Sequence, residues 1–385
     1  MKQVYLDNAA TTPVRLEVEV AMRPYFCEKY GNPSGVYQMS SENRNMIENV
    51  REQIAKTLHA SAEEIYFTSG GTESDNWALV GCAYANRRQG KHIISTVFEH
   101  AAVSAPLAAL EEQGFEITKI PVDANGILSM EKLESAIRPD TILVSTMYVN
   151  NEVGAVVPVE EIGKLVHEKN PKTIYHVDAI QGYGKFRIYP KRMGIDLLSV
   201  SSHKIHGPKG VGFLYVNEKI KIQPMILGGG QQKGMRSGTD NVPGIAGLGV
   251  AAKKIYEDFD EKIEQLKENK QYLAKRLQEL DNVFINGPKP ENGAPHILNA
   301  SFVGVRSEVL LHTLEEKQIY ISAGSACSSH KRAASATMLA LGVSAERRES
   351  AIRFSLSEMT TREELDYAVD EIAKVLPVLR KFARH

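Results

Sequence analysis

A lysine that follows an apolar run is the first residue whose surroundings suggest chemistry. The stretch LLSVSSHKIHGPKG places Lys204 after a predicted strand, between His203 and His206 and before a Gly-Pro turn. A partly desolvated lysine beside other cations has a lowered pKa, and its neutral amine can form a Schiff base. Most single lysines are surface charges, so both interpretations stay open here. A metal site at the two histidines is disfavoured, because no carboxylate or thiolate with ligand spacing accompanies them.

An aspartate at the end of another apolar run supplies a buried carboxylate. In TIYHVDAIQ, Asp178 ends the predicted strand and Gln181 follows three residues later. An ionised carboxylate in such a place needs a partner, which the protonated ring nitrogen of a cofactor would provide. Gln181 could then donate to a ring hydroxyl. Asp178 could equally cap a helix, and the segment alone does not decide between the two.

A glycine pair in YFTSGGTESDN suggests an anion site. A predicted strand ends at Thr68, and a helix begins near Thr72. Backbone N–H groups at a helix start, with glycines that permit close approach, suit a phosphate. The alternative is a plain helix start with Thr72 as the capping residue. No Walker motif or G-x-G-x-x-G follows a strand, so a nucleotide is not indicated.

One of three cysteines lies in an unusual setting. Cys27 and Cys82 fall in helical patterns among apolar neighbours, which predicts that both are buried and inert. Cys327, in ISAGSACSSHKR, has small polar neighbours, and the basic HKR could favour its thiolate. Such a composition predicts a flexible loop that could carry a reactive thiol. By itself the stretch also allows a buried or metal-bound cysteine.

The elements that must position these residues alternate between strand and helix from residue 64 to 216. The predicted strands are EEIYFTS, KHIISTV, FEITKIPV, TILVSTMYV, TIYHVDA, DLLSVSS and KGVGFLYV. This alternation predicts a largely parallel sheet covered by helices on both faces. Ligands bind at the carboxyl ends of strands in such sheets, where Asp178 and Lys204 are predicted to lie.

A different pattern follows residue 242. One long helix is predicted from about Pro243 to Leu280, because apolar residues recur at three-four spacing with Lys and Glu between them. The strands VFING, ILNASFV, IYIS and AIRFSLS and several helices come after it. This order predicts a smaller α+β module. A chain of 385 residues is long enough for two domains.

Composition and charge exclude several classes of protein. The net charge is -1, from 46 Lys and Arg against 47 Asp and Glu, which argues against nucleic acid or an anionic membrane as a partner. The start MKQVYLDNAATTP lacks the features of a signal peptide, and no stretch approaches the roughly 20 apolar residues of a membrane helix. Three cysteines without a C-x-x-C suggest free thiols and a cytoplasmic location.

A phosphate site, a carboxylate for a ring nitrogen and a lysine after a later strand together make up a pyridoxal phosphate site. On these residues the sequence resembles the cysteine desulfurases of the NifS/IscS type, within the class V aminotransferases of fold type I. The matching motifs run nearly from end to end: YLDNAATTP (5–13), GNPS (31–34), TSGGTESDN (68–76), EHAAV (99–103), NNEVG (150–154), HVDAIQ (176–181), SSHKIHGPKG (201–210), GGGQQKGMRSGT (228–239), SAGSAC (322–327) and IRFSLS (352–357).

The resemblance implies an α/β fold of two parts. A large cofactor-binding domain, residues 14–255, would hold a mainly parallel sheet between helices. A smaller α+β domain, residues 1–13 and 256–385, would carry the loop of Cys327. It also implies a homodimer.

The resemblance assigns the reacting groups. Lys204 would hold pyridoxal 5'-phosphate as a Schiff base and move the α-proton, and Asp178 would pair with the pyridine nitrogen. His100 would stack on the ring and take part in catalysis, while Gln181 would contact the phenolic oxygen. Cys327 would attack the sulfur of the bound substrate and keep it as a persulfide.

The remaining implied roles concern binding. Thr239 would reach the phosphate of the neighbouring subunit, and Asn151 and Arg353 would hold the carboxylate of the substrate. From the strand pattern alone, Arg353 could equally be a surface charge. The implied phosphate ligands within one subunit are Gly71, Thr72, Ser201 and His203.

The implied activity converts L-cysteine to L-alanine and passes the sulfur to an acceptor, either an iron–sulfur scaffold or a tRNA-thiolation enzyme. The long stretch between Cys327 and TMLALG is similar to the NifS/IscS branch. HKRAASATML departs from the family's pattern after the cysteine, and Tyr37 stands where a histidine is usual, which puts the acceptor's identity in doubt. The alternatives are a selenocysteine lyase or another enzyme of this fold, a cofactor-free thiol enzyme, and a non-catalytic sulfur relay.

Overall fold

The computed structural model describes residues 3–323 and 335–382, so Cys327 lies outside the described residues. The strands are β1 (Val4–Tyr5), β2 (Ile65–Thr68), β3 (His92–Thr96), β4 (Glu116–Ile120), β5 (Thr141–Met147), β6 (Ile174–Asp178), β7 (Leu197–Ser201), β8 (Gly212–Val216), β9 (Val283–Asn286), β10 (Ile297–Phe302), β11 (Ile319–Tyr320), β12 (Ser322–Ala323) and β13 (Ala351–Ser355).

The α-helices are interspersed with short 3₁₀ turns at Ala62–Glu64, Ser202–Lys204 and Gln232–Gly234. A π-helical turn, Trp77–Gly81, joins α4 to α5. The helices are α1 (Leu16–Met22), α2 (Pro24–Cys27), α3 (Gln38–Leu58), α4 (Gly71–Asn76), α5 (Cys82–Asn86), α6 (Ala101–Glu112), α7 (Met130–Ala136), α8 (Val159–Lys169), α9 (Pro190–Met193), α10 (Val242–Tyr256), α11 (Phe259–Gln278), α12 (Ser307–Glu315), α13 (Ala336–Ala340), α14 (Ala345–Glu349) and α15 (Arg362–Phe382).

The larger sheet confirms the predicted α/β fold, and its strands correspond to the seven apolar runs between residues 64 and 216. Their order is β2-β8-β7-β6-β5-β3-β4. β3 to β7 are paired in parallel, whereas β8 runs antiparallel to both β2 and β7. Every residue of β3, β5, β6, β7 and β8 is buried. Helices therefore cover both faces, which explains why these strands read as apolar runs without alternation.

A second, antiparallel sheet has the order β12-β13-β10-β9 and packs with α11, α12 and α15 around a separate hydrophobic cluster. The start of the chain joins this region, because β1 pairs in parallel with β11 and Leu6 belongs to the same cluster. The smaller α+β module thus forms as expected. The domain bounds 14–255, and 1–13 with 256–385, stay a prediction.

The single long helix predicted from Pro243 to Leu280 is wrong. α10 ends at Tyr256, and α11 begins at Phe259 after Asp258, whose φ of 50° is left-handed. Aspartate tolerates this conformation better than most residues. The periodic apolar residues extend across the break, so the sequence pattern alone does not reveal it.

The predicted burial of Cys27 is also wrong, whereas that of Cys82 is confirmed. Cys27 is exposed because it ends a four-residue helix that buries none of its side chains. Cys82 is buried, and desolvation raises the pKa of its thiol. Within residues 3–323 and 335–382, no helix is both long and apolar enough to cross a bilayer.

Candidate active site

Asp178 and Lys204 meet at the carboxyl ends of two neighbouring strands, called here the sheet edge. Asp178 is the last residue of β6, and it lies opposite Ser199 of the parallel strand β7. Lys204 ends the short turn that follows β7. His100 caps the start of α6, with Nδ1 3.1 Å from the N–H of Ala102. The charges of Asp178 and Lys204 both act on the pKa of His100, so the three side chains lie within electrostatic reach of one another.

The Asp178 carboxylate is buried and has few protein partners. Its Oδ1 accepts the N–H of Ile180 at 2.9 Å, and the residue is 5% exposed. Burial raises its pKa, while the Ile180 N–H and the charges of His100 and Lys204 oppose that rise. No helix begins at this position in the described chain before Pro190, so the helix-cap alternative for Asp178 does not hold.

Lys204 is held by the N-terminal segment, a name used here for residues 5–13. Its Nζ donates to the carbonyl oxygens of Ala9 at 2.6 Å and Ala10 at 2.7 Å. Gln181 Nε2 donates to the same Ala9 carbonyl at 2.9 Å. Lys204 is thus half-buried with its amine bonded to two backbone carbonyls, and it is not the surface charge that a single lysine usually is. Sequence reasoning missed these carbonyls, since backbone acceptors leave no signal in residue types.

The N-terminal segment also fixes the turn that carries Lys204. Thr12 Oγ1 donates to the carbonyl of His203 at 2.8 Å and accepts the N–H of His206 at 2.8 Å. Nδ1 of His203 lies 3.2 Å from Thr11 Oγ1. Thr12 thus orients the backbone on both sides of the lysine, and Thr11 contacts the neighbouring His203 ring.

The glycine pair, Gly70 and Gly71, forms one wall of an open cleft beside the sheet edge. This wall is called here the glycine cradle. Gly70 has a φ of 144°, which only glycine adopts readily, and a Cβ on Gly71 would lie 2.2 Å from Cδ1 of Ile180. α4 begins at Gly71 with Gly70 as its N-cap, so Thr72 does not cap the helix. The cleft is lined by the predicted phosphate ligands Gly71, Thr72, Ser201 and His203, together with residues of the N-terminal segment.

An ion pair between Glu73 and Arg236 lies at the glycine cradle. Glu73 accepts the N–H of Ser69 at 2.9 Å and forms a two-pronged ion pair with Arg236, at 2.8 and 3.0 Å. Burial favours the neutral form of Glu73, but the bonds from Arg236 and Ser69 outweigh it and lower its pKa. Burial and the charge of Lys204 lower the pKa of His203 to about 4. Arg236 therefore offsets the one carboxylate beside this wall of the cleft.

Arg353 lies in β13 and is buried, which excludes a surface charge. Its guanidinium donates to Asp7 Oδ1 at 2.7 Å and to the backbone carbonyl of Asn151 at 2.8 Å. Its Nε has no hydrogen-bond partner among the described residues. The structure thus brings Arg353 and Asn151 together, and it adds Asp7, which sequence reasoning missed because 346 positions separate it from Arg353.

Two predicted site residues are not brought to this place. Thr239 is exposed and does not line the cleft of its own chain. Cys327 lies outside the described residues. The residues described on either side lie near the site: Ser322 of β12 is opposite Arg353, and Ser335 donates to Glu152 at 2.5 Å.

The histidines do not form part of a metal centre in the described parts of the chain. Among these residues, no group of three or more His, Cys, Asp or Glu side chains is arranged to hold a metal ion. His206 is buried, with Nδ1 2.9 Å from the carbonyl of Pro13 and Nε2 3.4 Å from Glu358. Its contacts are those of a side chain that ties the N-terminal segment to the C-terminal region.

Comparison with known proteins adds a family to this geometry. The aminotransferase class-V family model matches residues 4–368. The chain is 43% identical to a protein of Dictyoglomus turgidum named cysteine desulfurase IscS, across 98% of this chain and 96% of that one.

Two solved structures are also similar. One titled NIFS-like protein has a TM-score of 0.93 at 39% identity and covers 98% of this chain and 100% of that chain. Another, titled SspA in complex with cysteine, has a TM-score of 0.81 at 34% identity and covers 93% of this chain and 100% of that one. The chain therefore belongs to the class-V aminotransferase family, among the cysteine desulfurases of the NifS/IscS type.

Proposed function

We propose that this protein is a pyridoxal 5'-phosphate-dependent cysteine desulfurase, which converts L-cysteine to L-alanine and keeps the sulfur on Cys327. The observation that carries the proposal is the meeting of Lys204, Asp178 and the glycine cradle at one sheet edge. A lysine amine, a buried carboxylate and an anion site at this spacing suit a cofactor with an aldehyde, a basic ring nitrogen and a phosphate. The relatives named cysteine desulfurase support the choice of substrate.

The residues present fit this cofactor. Gly71 is needed at the glycine cradle because a Cβ there would clash with Ile180, and the open cleft that it lines offers space for a phosphate. Asp178 is a buried carboxylate that accepts the N–H of Ile180, which leaves it suited to a cationic partner. A cationic ring nitrogen would favour the ionised form and lower the pKa that burial raises.

When bound, pyridoxal 5'-phosphate supplies an electrophilic carbon and an electron sink for the pair left at the α-carbon of the substrate. Lys204 holds and releases the proton at Nζ, and the Ala9 and Ala10 carbonyls keep this atom beside Asp178. Asp178 holds negative charge at the ring side. Gln181 is fixed by the Ala9 carbonyl and by His296, 3.3 Å from its Oε1, so its amide is already oriented.

The surroundings of His100 support a role in proton transfer. Burial and the charge of Lys204 lower its pKa, while Asp178 opposes them, so the ring is predominantly neutral at neutral pH. A neutral imidazole can stack on an aromatic ring and can also accept a proton. Nδ1 already accepts the N–H of Ala102, which leaves Nε2 for this role.

Arg353 and Asn151 bind the carboxylate of the substrate. A guanidinium fork matches a carboxylate with two parallel hydrogen bonds, which suits a free amino acid. In the present structure Asp7 occupies one donor of this fork. Asp7 therefore orients Arg353 before substrate arrives, and the unpartnered Nε adds a further donor on this guanidinium.

Sulfur leaves the substrate by transfer to Cys327. Its thiolate attacks the substrate sulfur, an S–S bond forms, and the C–S bond breaks with its electron pair retained on carbon. A proton then completes alanine. Cysteine and one enzyme thiol thus give alanine and one enzyme persulfide, with no external oxidant or reductant.

The partners belong to the proposal as well. The persulfide is passed to an acceptor protein, an iron–sulfur scaffold or a tRNA-thiolation enzyme, and the enzyme works in the cytoplasm as a homodimer. Thr239 is exposed on the loop after Arg236, which is compatible with a contact to the phosphate of the second subunit.

The test is alanine and sulfide release from L-cysteine by the purified protein loaded with pyridoxal 5'-phosphate. Cys327→Ala should bind L-cysteine, seen as a change in cofactor absorbance, yet release no sulfide. Cys27→Ala is the matched control, because Cys27 is exposed and outside the site, and it should keep the wild-type rate. Sulfide release by Cys327→Ala at the wild-type rate would contradict the role of Cys327. Faster turnover of selenocysteine without Cys327 would favour a selenocysteine lyase.

A further inference from the structure

A second acidic residue lies behind Asp178, on the sheet face that carries it. His176 and Asp178 alternate along β6, so their side chains point to the same face. Ser145 of β5 is opposite His176, and Ser199 of β7 is opposite Asp178, which places these side chains on that face too. α4 contributes Asp75, whose Oδ1 lies 3.6 Å from Nε2 of His176. These side chains form one buried polar layer beneath the sheet edge.

His176 is uncharged in this layer. Nδ1 lies 2.9 Å from Ser145 Oγ, and Nε2 lies 2.9 Å from Ser199 Oγ. Burial lowers the pKa of the ring to about 3. At neutral pH the imidazole therefore carries no positive charge and cannot act as a counter-ion for Asp75.

Asp75 is in surroundings that disfavour a charge. The residue is fully buried, and neither carboxyl oxygen has a well-formed hydrogen bond to a described residue. Burial and the charges of Asp178 and Glu99 raise its pKa well above the ordinary value. The Ser199 hydroxyl is close enough to oppose this rise but does not outweigh it. An anion at Asp75 would be a second like charge in a desolvated layer.

The three buried acids differ in what stabilises their charge. Burial raises the pKa of Glu99 to about 8, although the Thr96 hydroxyl donates to it at 2.5 Å and the N–H of Met147 at 3.0 Å. Asp178 accepts the Ile180 N–H and also faces the ammonium of Lys204. Within the described chain, neither a backbone N–H nor a cation acts on the Asp75 carboxyl. Of the three, Asp178 is thus the carboxyl best able to hold a negative charge beside a cofactor.

We propose that Asp75 is a positioning residue that carries a proton and, with the uncharged His176 ring, leaves Asp178 as the ionised carboxylate that faces the cofactor. The proposal rests on the proposed function for what Asp178 meets, but the protonation of Asp75 stands apart from it. A charged Asp75 would repel the Asp178 anion and raise the pKa of Asp178. A protonated Asp75 keeps an O–H donor in the layer and removes that repulsion.

The first test measures the protonation state of Asp75 in the protein without cofactor. Infrared difference spectra between wild type and Asp75→Asn at pH 7 should show loss of the carbonyl-stretch band of an unionised carboxylic acid. Labelling with ¹³C-aspartate identifies the band, and Glu99→Gln should leave it in place. Loss of a carboxylate band instead would overturn the proposal. If Asp75→Asn does not fold, Asp75→Ser gives the same comparison.

The second test measures pyridoxal 5'-phosphate affinity. Asp75→Asn, a neutral isostere of the protonated acid, should change affinity by less than about threefold, whereas Asp178→Asn should weaken it at least ~100-fold, the equivalent of two pKa units. Equal losses in both variants would overturn the proposal. In a Glu99→Gln background, affinity should fall at alkaline pH only while Asp75 is present. A wild type that binds no cofactor refutes the proposed function and leaves the infrared result to decide on Asp75.

Discussion

The sheet edge and the N-terminal segment meet at Lys204, but they are built in opposite ways. At the sheet edge, Asp178 and Lys204 follow neighbouring parallel strands, so local strand geometry brings them together. The N-terminal segment reaches the same lysine through two backbone carbonyls, and it reaches Arg353 through Asp7, from the far end of the chain. One part of the site is therefore positioned by the sheet. The other part is positioned by contacts between the start of the chain and distant later residues, called here chain closure.

This difference separates the tasks of the two regions. In the proposed function, the sheet edge holds the groups for cofactor chemistry, and Asp178 there is buried and already hydrogen-bonded. In the proposed function, the N-terminal segment and β13 supply the side that meets the substrate carboxylate. Damage to the first should abolish chemistry, whereas loss of the Arg353 guanidinium fork should weaken substrate binding while the cofactor stays in place. The variants below test that division, from the largest expected effect to the smallest.

Asp178→Asn should have the largest effect, because it removes the charge at the ring side of the sheet edge. Loss of one preorganised electrostatic group lowers kcat by about 10²–10³-fold. Sulfide release under saturating L-cysteine is the measurement. Asp196→Asn is the control, since Asp196 is another buried aspartate beside this sheet, with Oδ2 2.9 Å from the Tyr175 N–H. A similar loss of kcat in both variants would show that the loss of any buried aspartate causes the effect, rather than the position of Asp178 at the sheet edge.

Arg353→Lys should raise KM for L-cysteine by about 10- to 100-fold, because lysine cannot form the two parallel bonds of the guanidinium fork. The absorbance of bound cofactor should not change. Arg362→Lys is the control, since this arginine is exposed and pairs only loosely with Glu268 at 3.6 Å. If Arg353→Lys loses the cofactor instead, the two regions do not divide the tasks as described.

Arg236→Ala should have a smaller effect, at the glycine cradle. It leaves the Glu73 carboxylate without its ion pair beside the proposed phosphate site, which should lower affinity for pyridoxal 5'-phosphate by about three- to tenfold. Equilibrium titration of the cofactor-free protein measures this. Adding Glu73→Gln to Arg236→Ala should restore most of the affinity. If the double variant binds no better than Arg236→Ala, repulsion from Glu73 is not the cause.

The smallest effect concerns pH and His203, which touches both regions through Lys204 and Thr11. Its folded pKa of about 4 lies below the ordinary value of 6.5, so the ring takes up a proton more readily in the unfolded state than in the folded state. The contribution of His203 to the free energy of unfolding is therefore fully present above pH 6.5 and is lost as pH falls from 6.5 towards 4. Because the ring is partly exposed, the slope should stay below the full value of about 1.4 kcal/mol per pH unit.

His203→Gln should therefore flatten the dependence of the free energy of unfolding on pH in that window, measured by denaturant titration of the cofactor-free protein. His312→Gln is the control, since His312 is exposed and lies on α12, away from the site. An unchanged slope in His203→Gln would mean that this ring does not stay neutral in the folded protein.

The sheet edge could be predicted from sequence because its residues follow apolar strands in a regular order. Asp178 and Lys204 each follow such a run, and parallel pairing then makes them neighbours. The Ala9 and Ala10 carbonyls could not be found this way, because a backbone acceptor is the same in every residue. Asp7 could not be linked to Arg353 either, since no local pattern connects positions 346 apart.

Two structural predictions were wrong for related reasons. Periodicity reports which residues face the core, so it continued through the left-handed Asp258 that separates α10 from α11. It also placed Cys27 in a helix, although that helix is too short to bury it. The buried layer around Asp75 was missed because Ser145, His176 and Ser199 lie within runs that otherwise indicate core packing.

Chain closure has a consequence for the synthesis of the enzyme. The Asn8 side chain donates to the Ser355 carbonyl at 2.9 Å, across 347 positions, and the Ala9 N–H donates to Ser355 Oγ at 2.8 Å. Because a ribosome makes the N-terminal segment first, these residues wait for β13 before they can be fixed. The sheet edge can form during translation, but the acceptors that hold Lys204 reach their final place only when the last strand has emerged. A nascent chain therefore has its reactive amine before it has a working site.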